Sequence, residues 1–216
     1  MGEHDLIVAS LGGSVVMPGV PNIDFLRQLR QELKKFNGKC IFVIGGGTTA
    51  RLYAGALSKL DNSVRDQDFV GIQATQLNAE LVARVLGVER TDKISKKSFK
   101  KVLISGGFEP GHSSDFDTVE FALKYGVKKV YNITNVDYVY SKRPGTPGAK
   151  PIKEMDWKKF KSLFSQKWVP GINTPFDPPA VRLCEKEGVE VIFVGSDVKN
   201  LFKAFKGESF VGTVVK

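Results

Sequence analysis

The 216-residue sequence contains few of the residues that build disulfide frameworks or zinc sites, since it has two cysteines and two histidines. Cys40 and Cys184 lie far apart in apolar stretches, so neither a disulfide framework nor a metal knuckle is expected. No apolar run approaches the roughly 20 residues that a membrane-spanning helix needs. The first residues include Glu3, His4 and Asp5 and are not the basic start of a signal peptide. These absences predict a cytoplasmic protein with no zinc site and no membrane partner.

Two common phosphate-binding fingerprints are also missing. No G-x-x-x-x-G-K-S/T motif occurs, which excludes a P-loop NTPase, and no G-x-G-x-x-G motif opens the first predicted helix, which disfavours a dinucleotide-binding Rossmann protein. The aromatic-interleaved patterns of RNA-binding modules are absent as well. Nucleic acid is therefore disfavoured as a partner.

Positive charge is in surplus, with a net charge of +9 and a pI of about 9.5. Much of this surplus lies in three lysine-rich stretches, 93–101, 142–153 and 158–161. A basic surplus favours anionic partners such as nucleotides. Because RNA-binding patterns are absent, we interpret the lysine-rich stretches themselves as a solvated basic surface.

Segments typical of strands and of helices alternate along the chain. The predicted strands are Leu6–Leu11, 40–44, 102–105, 128–134, 189–195 and a final edge strand within 210–215. The predicted helices are one capped by Asp24, one over 48–60, a long one beginning at Asp68, one over Ser114–Tyr125, one over 156–164, one ending near Gly188, and one capped by Asp197. In the long helix, the predicted apolar side contains Ile72, Leu77, Leu81 and Val85.

This alternation predicts an α/β fold in which a mainly parallel central sheet is sandwiched between helices, as one domain over residues 1–216. The predicted strands are almost continuously apolar, which is typical of strands buried on both faces. Stretches rich in Pro and Gly at 141–151 and 169–179 predict loops, and we expect the first of them to be the most mobile element.

Three glycine-containing loops follow predicted strands: "LGGS" (11–14), "IGGGTTAR" (44–51) and "SGGFEPGHSSD" (105–115). In open α/β sheets, ligands bind outside the carboxyl ends of the strands. Glycines there let backbone N–H groups approach a ligand, and the positive end of the following helix suits phosphate. A single Gly-Gly pair is explained as well by a tight strand-to-helix turn without a ligand. Three such loops in one chain favour a phosphate cradle.

The chain resembles the amino acid kinase fold and, within it, the archaeal-type UMP kinases. The resemblance covers essentially the whole chain and rests on six motifs in family order: "LGGSVV", "VIGGGTTAR", "QDFVGIQATQLNAEL", "GGFEPGHSSD", "ITNVDYVYS" and "PGINTPFDPPAV". It implies an enzyme that transfers the γ-phosphate of ATP to UMP, giving UDP and ADP. It further implies Mg²⁺ held mainly through the ATP phosphates, with no metal ligands from the protein, and a homo-oligomer, hexamers being usual among relatives.

The resemblance also assigns roles to individual residues. The residues matched to ATP binding are Ser10, Leu11, Gly12, Gly13, Ser14, Gly46, Arg51, Thr134, Asn135 and Tyr140. The residues matched to UMP binding are Gly45, Asp68, Phe108, Glu109, Pro110, Gly111, His112, Ser113 and Ser114. The residues expected to serve catalysis are Arg51, Asp115 and Arg182. Of these, Arg51 is expected to face phosphate, and Asp115 to organise the cations rather than to act as an obligatory base.

Structural explanations compete with several of these assignments. Asp68 could cap the helix that follows it, and both roles can coexist. Ser114 and Asp117 fit a capping box, in which Ser113 and Ser114 only hold backbone amides. Asp115 could complement the helix dipole from the first turn. Tyr138 and Tyr140 could be core aromatics, in which case Tyr140 would not belong to the predicted ATP site.

The sequence departs from the family pattern at three positions. Ser10 stands where many kinases of this fold have a lysine, Arg143 lies where members often have an aspartate, and Arg182 replaces a lysine, keeping the charge but not the geometry. One alternative is therefore a nucleotide-binding or storage protein of this fold without turnover. Another is a same-fold kinase for a different small phosphate or a carboxylate. Isopentenyl phosphate kinases, which usually place a histidine after the glycine triplet, fit less well because residues 48–51 contain none.

Overall fold

The computed structural model describes residues 6–60, 63–167 and 174–216. The strands in this part of the chain are β1 (Leu6–Leu11), β2 (Lys39–Ile44), β3 (Glu89–Thr91), β4 (Val102–Ser105), β5 (Lys129–Ile133), β6 (Val139–Tyr140), β7 (Pro151–Ile152), β8 (Glu154–Met155), β9 (Glu190–Val194) and β10 (Gly212–Val215). The helices are α1 (Gly13–Val16), α2 (Ile23–Lys35), α3 (Gly47–Leu57), α4 (Val64–Leu86), α5 (Ser114–Tyr125), α6 (Trp157–Leu163), α7 (Pro178–Glu187) and α8 (Val198–Phe205).

Eight of these strands form one sheet in the order β3-β4-β2-β1-β5-β9-β10-β8. All neighbouring pairs are parallel except β9 and β10, which run antiparallel. Successive residues of β2 enter opposite cores: Phe42 packs with α1, α2, α4 and α8, whereas Ile41 and Val43 pack with α5, α6 and α7. Burial on both faces explains why the strands are apolar throughout. The predicted sandwich of helices around a mainly parallel sheet is confirmed, and no described helix has the length and apolarity to span a membrane.

The start of α2 differs from the prediction by a short shift. Asn22, not Asp24, is the capping residue, and its side chain accepts a hydrogen bond from Phe25 N at 3.2 Å. Asp24 lies in the first turn, where a negative charge complements the helix dipole. The predicted cap of α8 is confirmed, since Asp197 Oδ1 accepts from Asn200 N at 2.7 Å.

The long helix α4 begins one turn earlier than predicted, because Ser63 caps it through Asp66 N at 3.2 Å. Asp68 therefore lies inside the helix, and the prediction that it could be the cap is wrong. The buried face also differs from the predicted one: Asn78, Ala79 and Val82 are buried, whereas Leu77 is 63% exposed. The placement of Leu77 on the apolar side is therefore wrong.

Two predictions about the edges of the sheet are also corrected. β10 was predicted to be an edge strand, but it lies between β9 and β8. β3, a short polar strand beside β4, was not predicted, because three residues with two charges carry no apolar pattern. The 141–151 stretch is held at its ends by the β6–β7 hairpin and by Ser141 N donating to Lys150 O at 2.9 Å. Within the predicted 169–179 loop, positions up to 173 lie outside the described residues.

The loops after β1 and β2 touch each other through bare backbone. Gly45 N donates to Leu11 O at 2.9 Å, and a Cβ added to Gly45 would lie 2.5 Å from Gly13 N. A Cβ on Gly13 would lie 2.9 Å from Gly45 C and closer still to the backbone of Gly47. Gly47 itself has a φ of +61°, a conformation that side chains disfavour. The glycines at these three positions are thus required by the packing of one loop on the other.

A Gly13→Ala substitution should therefore destabilise the protein. The overlap with the Gly45 and Gly47 backbones cannot be relieved by rotating a side chain, and we expect the free energy of unfolding to fall by about 1–3 kcal/mol. Gly55→Ala is the matched control, because a Cβ there meets nothing within 4 Å on helix α3. It should stabilise by about 0.5–1 kcal/mol. Urea unfolding measures both, and a Gly13→Ala protein as stable as the wild type would contradict this packing.

Candidate active site

The three glycine loops meet at one edge of the sheet, because β4, β2 and β1 are adjacent and parallel. The first loop also contacts the end of β5, where Gly12 N donates to Ile133 O at 2.9 Å. This contact places the first loop beside Thr134 and Asn135. The structure therefore brings together most of the residues predicted for ATP, which come from two distant parts of the sequence.

A cleft of about 420 Å³ opens beside this edge, between α3 and α4 on one side and the β4–α5 loop with the start of α5 on the other. The lining residues are Gly46, Gly47, Ala50, Arg51, Ala54, Gly55, Ser58, Gln67, Asp68, Gly71, Ile72, Thr75, Gly107, Glu109, His112, Ser113, Ser114 and Asp117. Five residues predicted for UMP are in this set: Asp68, Glu109, His112, Ser113 and Ser114. Arg51 and Gly46 line it as well.

Other predicted residues lie near the cleft without lining it. Gly45 uses its carbonyl to accept from Asn78 Nδ2 at 2.9 Å, while Phe108 packs on the ring of Phe121. The lining set also lacks Pro110 and Gly111, together with the first-loop residues Ser10, Leu11, Gly12, Gly13 and Ser14. The roles predicted for these residues stay predictions.

Arg182 and Tyr140 are two further predicted residues that do not line the cleft. Arg182 is exposed on α7, where its Nη1 donates to Gln166 O at 3.5 Å. Tyr140 lies in β6, half-buried and edge-on to Tyr138 with 6.3 Å between ring centroids. Neither tyrosine belongs to the buried core of the described residues, so the core-aromatic explanation is not supported.

Helix α3 presents the positive end of its dipole to the cleft. In the first turns of α2, α4, α5, α6, α7 and α8, a backbone N–H donates to a capping side chain, whereas no side chain caps α3 at Gly46. Arg51 follows one turn later, exposed, with its Nη2 donating to Thr48 Oγ1 at 3.1 Å. The amide of Thr48 already donates to Met17 O at 3.0 Å, so the features that suit an anion here are the positive end of the α3 dipole and the guanidinium of Arg51.

Asp68 reaches the cleft from the second turn of α4. It is buried, and its Oδ2 accepts a hydrogen bond from Gly111 N at 2.8 Å. Gly111 has a φ of +102°, which only glycine adopts readily, so this loop is shaped to meet the carboxylate. Asp68 thus holds the β4–α5 loop against α4 and still faces the cleft with the rest of its carboxylate.

Asp115 lies at the start of α5, against the ends of β1 and β5. Its Oδ1 accepts hydrogen bonds from Ser10 Oγ at 2.7 Å and from Asn132 Nδ2 at 3.1 Å. Desolvation by burial, and then the negative charge of Asp177, raise the pKa of Asp115 to about 7, against the hydrogen bonds from Ser10 and Ser113 that lower it. Ser10 therefore partners this carboxylate at the position where many relatives were expected to have a lysine.

Asp177 completes this buried network from α7. Its Oδ1 caps the helix through Ala180 N, and its Oδ2 accepts from Ser113 N at 2.7 Å and from the Ser113 hydroxyl. Burial raises the pKa of Asp177, and its hydrogen bonds with Ser113 and Ala180 oppose that shift. Ser113 in turn caps α5 by accepting from Asp115 N at 3.1 Å. The capping-box alternative is wrong, because Ser114 is already the first residue of the helix.

Asp117, Thr75 and Gln67 line the cleft but were not predicted to do so. Thr75 Oγ1 accepts from Gly107 N at 2.7 Å and so joins α4 to the third glycine loop. A signal for Asp117 exists in the sequence: it falls at helical spacing on the same face of α5 as Phe121, a position where an apolar residue is expected. A carboxylate on the core-facing side of a helix is a candidate for function.

An α/β fold with an anion-binding helix end and carboxylates at the carboxyl ends of parallel strands defines an enzyme-like site for a phosphorylated ligand. A model of the amino acid kinase family matches residues 5–195. The chain therefore belongs to the amino acid kinase family.

Several individual proteins are similar to this chain over almost its whole length. The uridylate kinase of Pyrococcus abyssi is 30% identical over 223 residues, which cover 97% of this chain and 99% of that protein. The uridylate kinase of Methanospirillum hungatei is 31% identical over 222 residues, covering 97% and 94%. Among solved structures, the uridylate kinase from Archaeoglobus fulgidus superposes with a TM-score of 0.78 at 27% identity, covering 98% of this chain and 100% of that one.

The raised pKa of Asp115 leads to a prediction about how the stability of the protein depends on pH. The raised pKa of Asp115 means that the folded protein keeps this proton up to about pH 7, whereas an unfolded aspartate loses it near 3.8. Ionised Asp115 therefore destabilises the fold progressively from about pH 4 to 7. Asp115→Asn keeps the acceptor oxygen and removes the charge. We expect it to gain at least about 1 kcal/mol of stability relative to wild type at pH 8 compared with pH 5.

Urea unfolding at both pH values measures this difference. Asp24→Asn, at an exposed side chain in the first turn of α2, is the control for the substitution itself. A gain that is equal at the two pH values would contradict the raised pKa of Asp115.

Proposed function

We propose that the protein is a UMP kinase, which transfers the γ-phosphate of ATP to UMP and produces UDP and ADP. The observation that carries the proposal is the cleft itself, because it places Arg51 on one wall and Asp68 on another in a chain similar to uridylate kinases over nearly its full length. The proposal treats residues 1–216 as one amino acid kinase-like domain that works in the cytoplasm.

The charges around the cleft suggest how UMP lies in it. Its phosphate is attracted to the start of α3, which no side chain caps, and to Arg51, and it is repelled by the carboxylates of Asp68 and Glu109. The ribose and base, which are uncharged, therefore lie against the carboxylates. Asp68 can accept hydrogen bonds from ribose hydroxyls.

ATP is proposed to bind on the other side of the glycine loops, along Ser10–Ser14 and beside Thr134, Asn135 and Tyr140. Among the described residues, no group of three or more His, Cys, Asp or Glu side chains is placed to hold a metal ion. Mg²⁺ is proposed to be held through the ATP phosphates, where it would neutralise charge on the transferring group. Backbone N–H groups of the loops would position the phosphates.

Catalysis in this proposal is alignment plus charge neutralisation, which is most of what phosphoryl transfer requires. Arg51 contacts phosphate directly. Asp115 acts through others: its hydrogen bonds to Ser10 and Asn132 fix the ends of β1 and β5, between which the first loop emerges. Arg182, which is exposed on α7, is proposed to supply a further cation to the phosphates.

We also propose that the protein is a homo-oligomer, with a hexamer as the form suggested by the resemblance. Support comes from large apolar side chains left exposed on α3 and α4. Leu52 and Tyr53 are 66% and 65% exposed, and Phe69 and Leu77 are exposed as well. Apolar surface of this kind on neighbouring helices is typical of protein interfaces.

A coupled ADP-release assay tests the proposed reaction. With saturating ATP and Mg²⁺, UMP should give the highest kcat/KM in a panel that also contains CMP, isopentenyl phosphate and a carboxylate such as acetylglutamate. Preference for a different acceptor would indicate a same-fold kinase with another substrate. Binding of nucleotides without ADP release from any acceptor would indicate the non-catalytic alternative.

Asp68→Asn tests the position of the acceptor. The substitution keeps the shape and one acceptor oxygen, so the contact with Gly111 and the melting temperature should survive. Losing the charged acceptor should cost about 1–3 kcal/mol of UMP binding, which raises KM for UMP about 5- to 150-fold and leaves KM for ATP nearly unchanged. Asp66→Asn, on the exposed side of the same helix, is the matched control. Unchanged KM values with a lowered melting temperature would restrict Asp68 to a structural role.

A further inference from the structure

Asn78 is a buried polar side chain of α4 that uses only one of its two polar atoms. The residue is 1% exposed, and its Nδ2 donates to Gly45 O at 2.9 Å and to Gly46 O at 3.0 Å. Its Oδ1 is buried and has no hydrogen-bond partner in the part of the chain that the structure describes. A buried oxygen without a partner costs stability. The contribution of this side chain to the protein therefore lies in the two hydrogen bonds that Nδ2 donates.

The two carbonyl groups that Asn78 binds differ in what else holds them. Gly46 O also accepts from Ala50 N at 3.2 Å, which is the first hydrogen bond of α3. Gly45 O accepts from no other group among the described residues. The peptide group between Gly45 and Gly46 therefore depends on Asn78 for its orientation.

The orientation of this peptide group sets the direction of one backbone donor. In a planar trans peptide, the C=O and the N–H that follows it point in opposite directions, and the described residues contain no cis peptide bond. Since Gly45 O is turned towards Asn78, the N–H of Gly46 points away from Asn78. Gly46 lines the cleft, and within the described ranges its N–H donates to no protein group. A free backbone donor is therefore available at the start of α3.

The glycines themselves do not define this orientation. A peptide group turns over by rotation about ψ of the first residue and φ of the second, and neither rotation is opposed by a Cβ when both residues are glycine. Bare backbone is nevertheless required here: a Cβ on Gly45 would lie 2.5 Å from Gly13 N, and a Cβ on Gly46 would overlap the Cβ of Ala50. The packing that demands glycine thus removes the usual restraint on the peptide, and Asn78 replaces that restraint.

We propose that Asn78 is a positioning residue, which holds the Gly45–Gly46 peptide so that the N–H of Gly46 meets a phosphate of the bound nucleotide. This inference rests on the proposed function, in which a phosphate lies at the start of α3. A hydrogen bond from an amide to phosphate is charge-assisted and stronger than a neutral one. Without the bonds from Asn78, the peptide can turn over and present the oxygen of Gly45 to the phosphate, which is repulsive.

A purely structural role for Asn78 makes a different prediction. If Asn78 only satisfies buried carbonyl groups, its loss should lower stability and weaken all ligands alike. If it positions the amide of Gly46, its loss should weaken only the part of the affinity that the phosphate contributes. Comparing each nucleotide with its own nucleoside isolates that part. The two pairs are UMP with uridine and ADP with adenosine, and the pair that responds identifies whose phosphate the amide binds.

Calorimetric titration of wild type and Asn78→Leu with these four compounds tests the inference, with competition against the nucleotide for the weaker nucleosides. Leucine has a similar size and no donor. In at least one pair, the ratio of nucleotide affinity to nucleoside affinity should fall about tenfold or more, while nucleoside affinity stays within about threefold. Equal losses for nucleotide and nucleoside in both pairs, or no loss in either pair, would overturn the inference.

A second variant keeps the test valid if the leucine variant does not fold. Asn78→Asp has the same shape, but it donates one hydrogen bond when protonated and none when ionised, so it cannot hold both carbonyl groups. The affinity ratio of the responding pair should fall at least about threefold. A folded Asn78→Asp protein with wild-type ratios in both pairs would refute the role of Asn78.

Asn200→Leu is the matched control for the loss of two bonds between an asparagine and the backbone. Asn200 Nδ2 donates to Val211 O at 2.8 Å, and its Oδ1 accepts from Val211 N at 2.8 Å, outside the lining of the cleft. This variant should keep the wild-type affinity ratios even if its melting temperature falls. Ratios that fall as far as in Asn78→Leu would show a general effect of destabilisation and would contradict the inference.

The binding format keeps this inference distinct from the proposed function. A wild-type protein that binds UMP more tightly than uridine but releases no ADP would refute kinase activity, and the variants would still decide the role of Asn78. A wild-type protein that phosphorylates UMP, together with Asn78 variants of unchanged affinity ratios, would refute only the inference. A wild-type protein to which neither phosphate adds affinity would overturn both the inference and the proposed position of the phosphate.

Discussion

The contact between the first two glycine loops is the constraint on which the site depends. Gly13 lies so close to the backbones of Gly45 and Gly47 that no side chain fits between the loops. This contact fixes the start of α3 next to the end of β1, and with it the wall that carries Arg51. The bare backbone therefore has a structural reason that holds before any ligand binds. A phosphate would meet N–H groups that are already in place, and such preorganisation lowers the cost of binding.

Around this constraint, the charges of the site are separated by sign. Arg51 and the start of α3 lie on one wall, and Asp68 and Asp117 lie on the others. Asp115 and Asp177 do not line the cleft and are connected to it through Ser113. Burial raises the pKa values of Asp115, Asp117 and Asp177, so these groups cost stability when they ionise. Hydrogen bonds from serine hydroxyls and backbone amides offset part of that cost. A chain that keeps three such carboxyls at one site gives up stability there, which is typical of functional sites.

The sequence predicted the sheet well because five of its strands are buried on both faces and therefore read as continuous apolar runs. It also predicted α3 and α5, because glycines and serines in the sequence mark where these helices begin. It failed where the sequence pattern is weak: β3 has three residues, and the edge position taken by β8 depends on tertiary pairing. The cap at Asp68 was misassigned because Ser63 is an equally good capping residue one turn earlier. Asp117 was missed because the sequence does not show which wall of a cleft a helix face will meet.

The central claim is that these walls hold a nucleoside monophosphate in line with ATP for phosphoryl transfer. Its most direct measurement follows the γ-phosphate: protein, Mg²⁺, UMP and γ-labelled ATP are mixed, and the labelled products are separated. The account predicts that the label moves to the β-position of UDP, in equal amount to the ADP formed. Label that stays in ATP, or that appears as free phosphate while UMP remains unchanged, would contradict it.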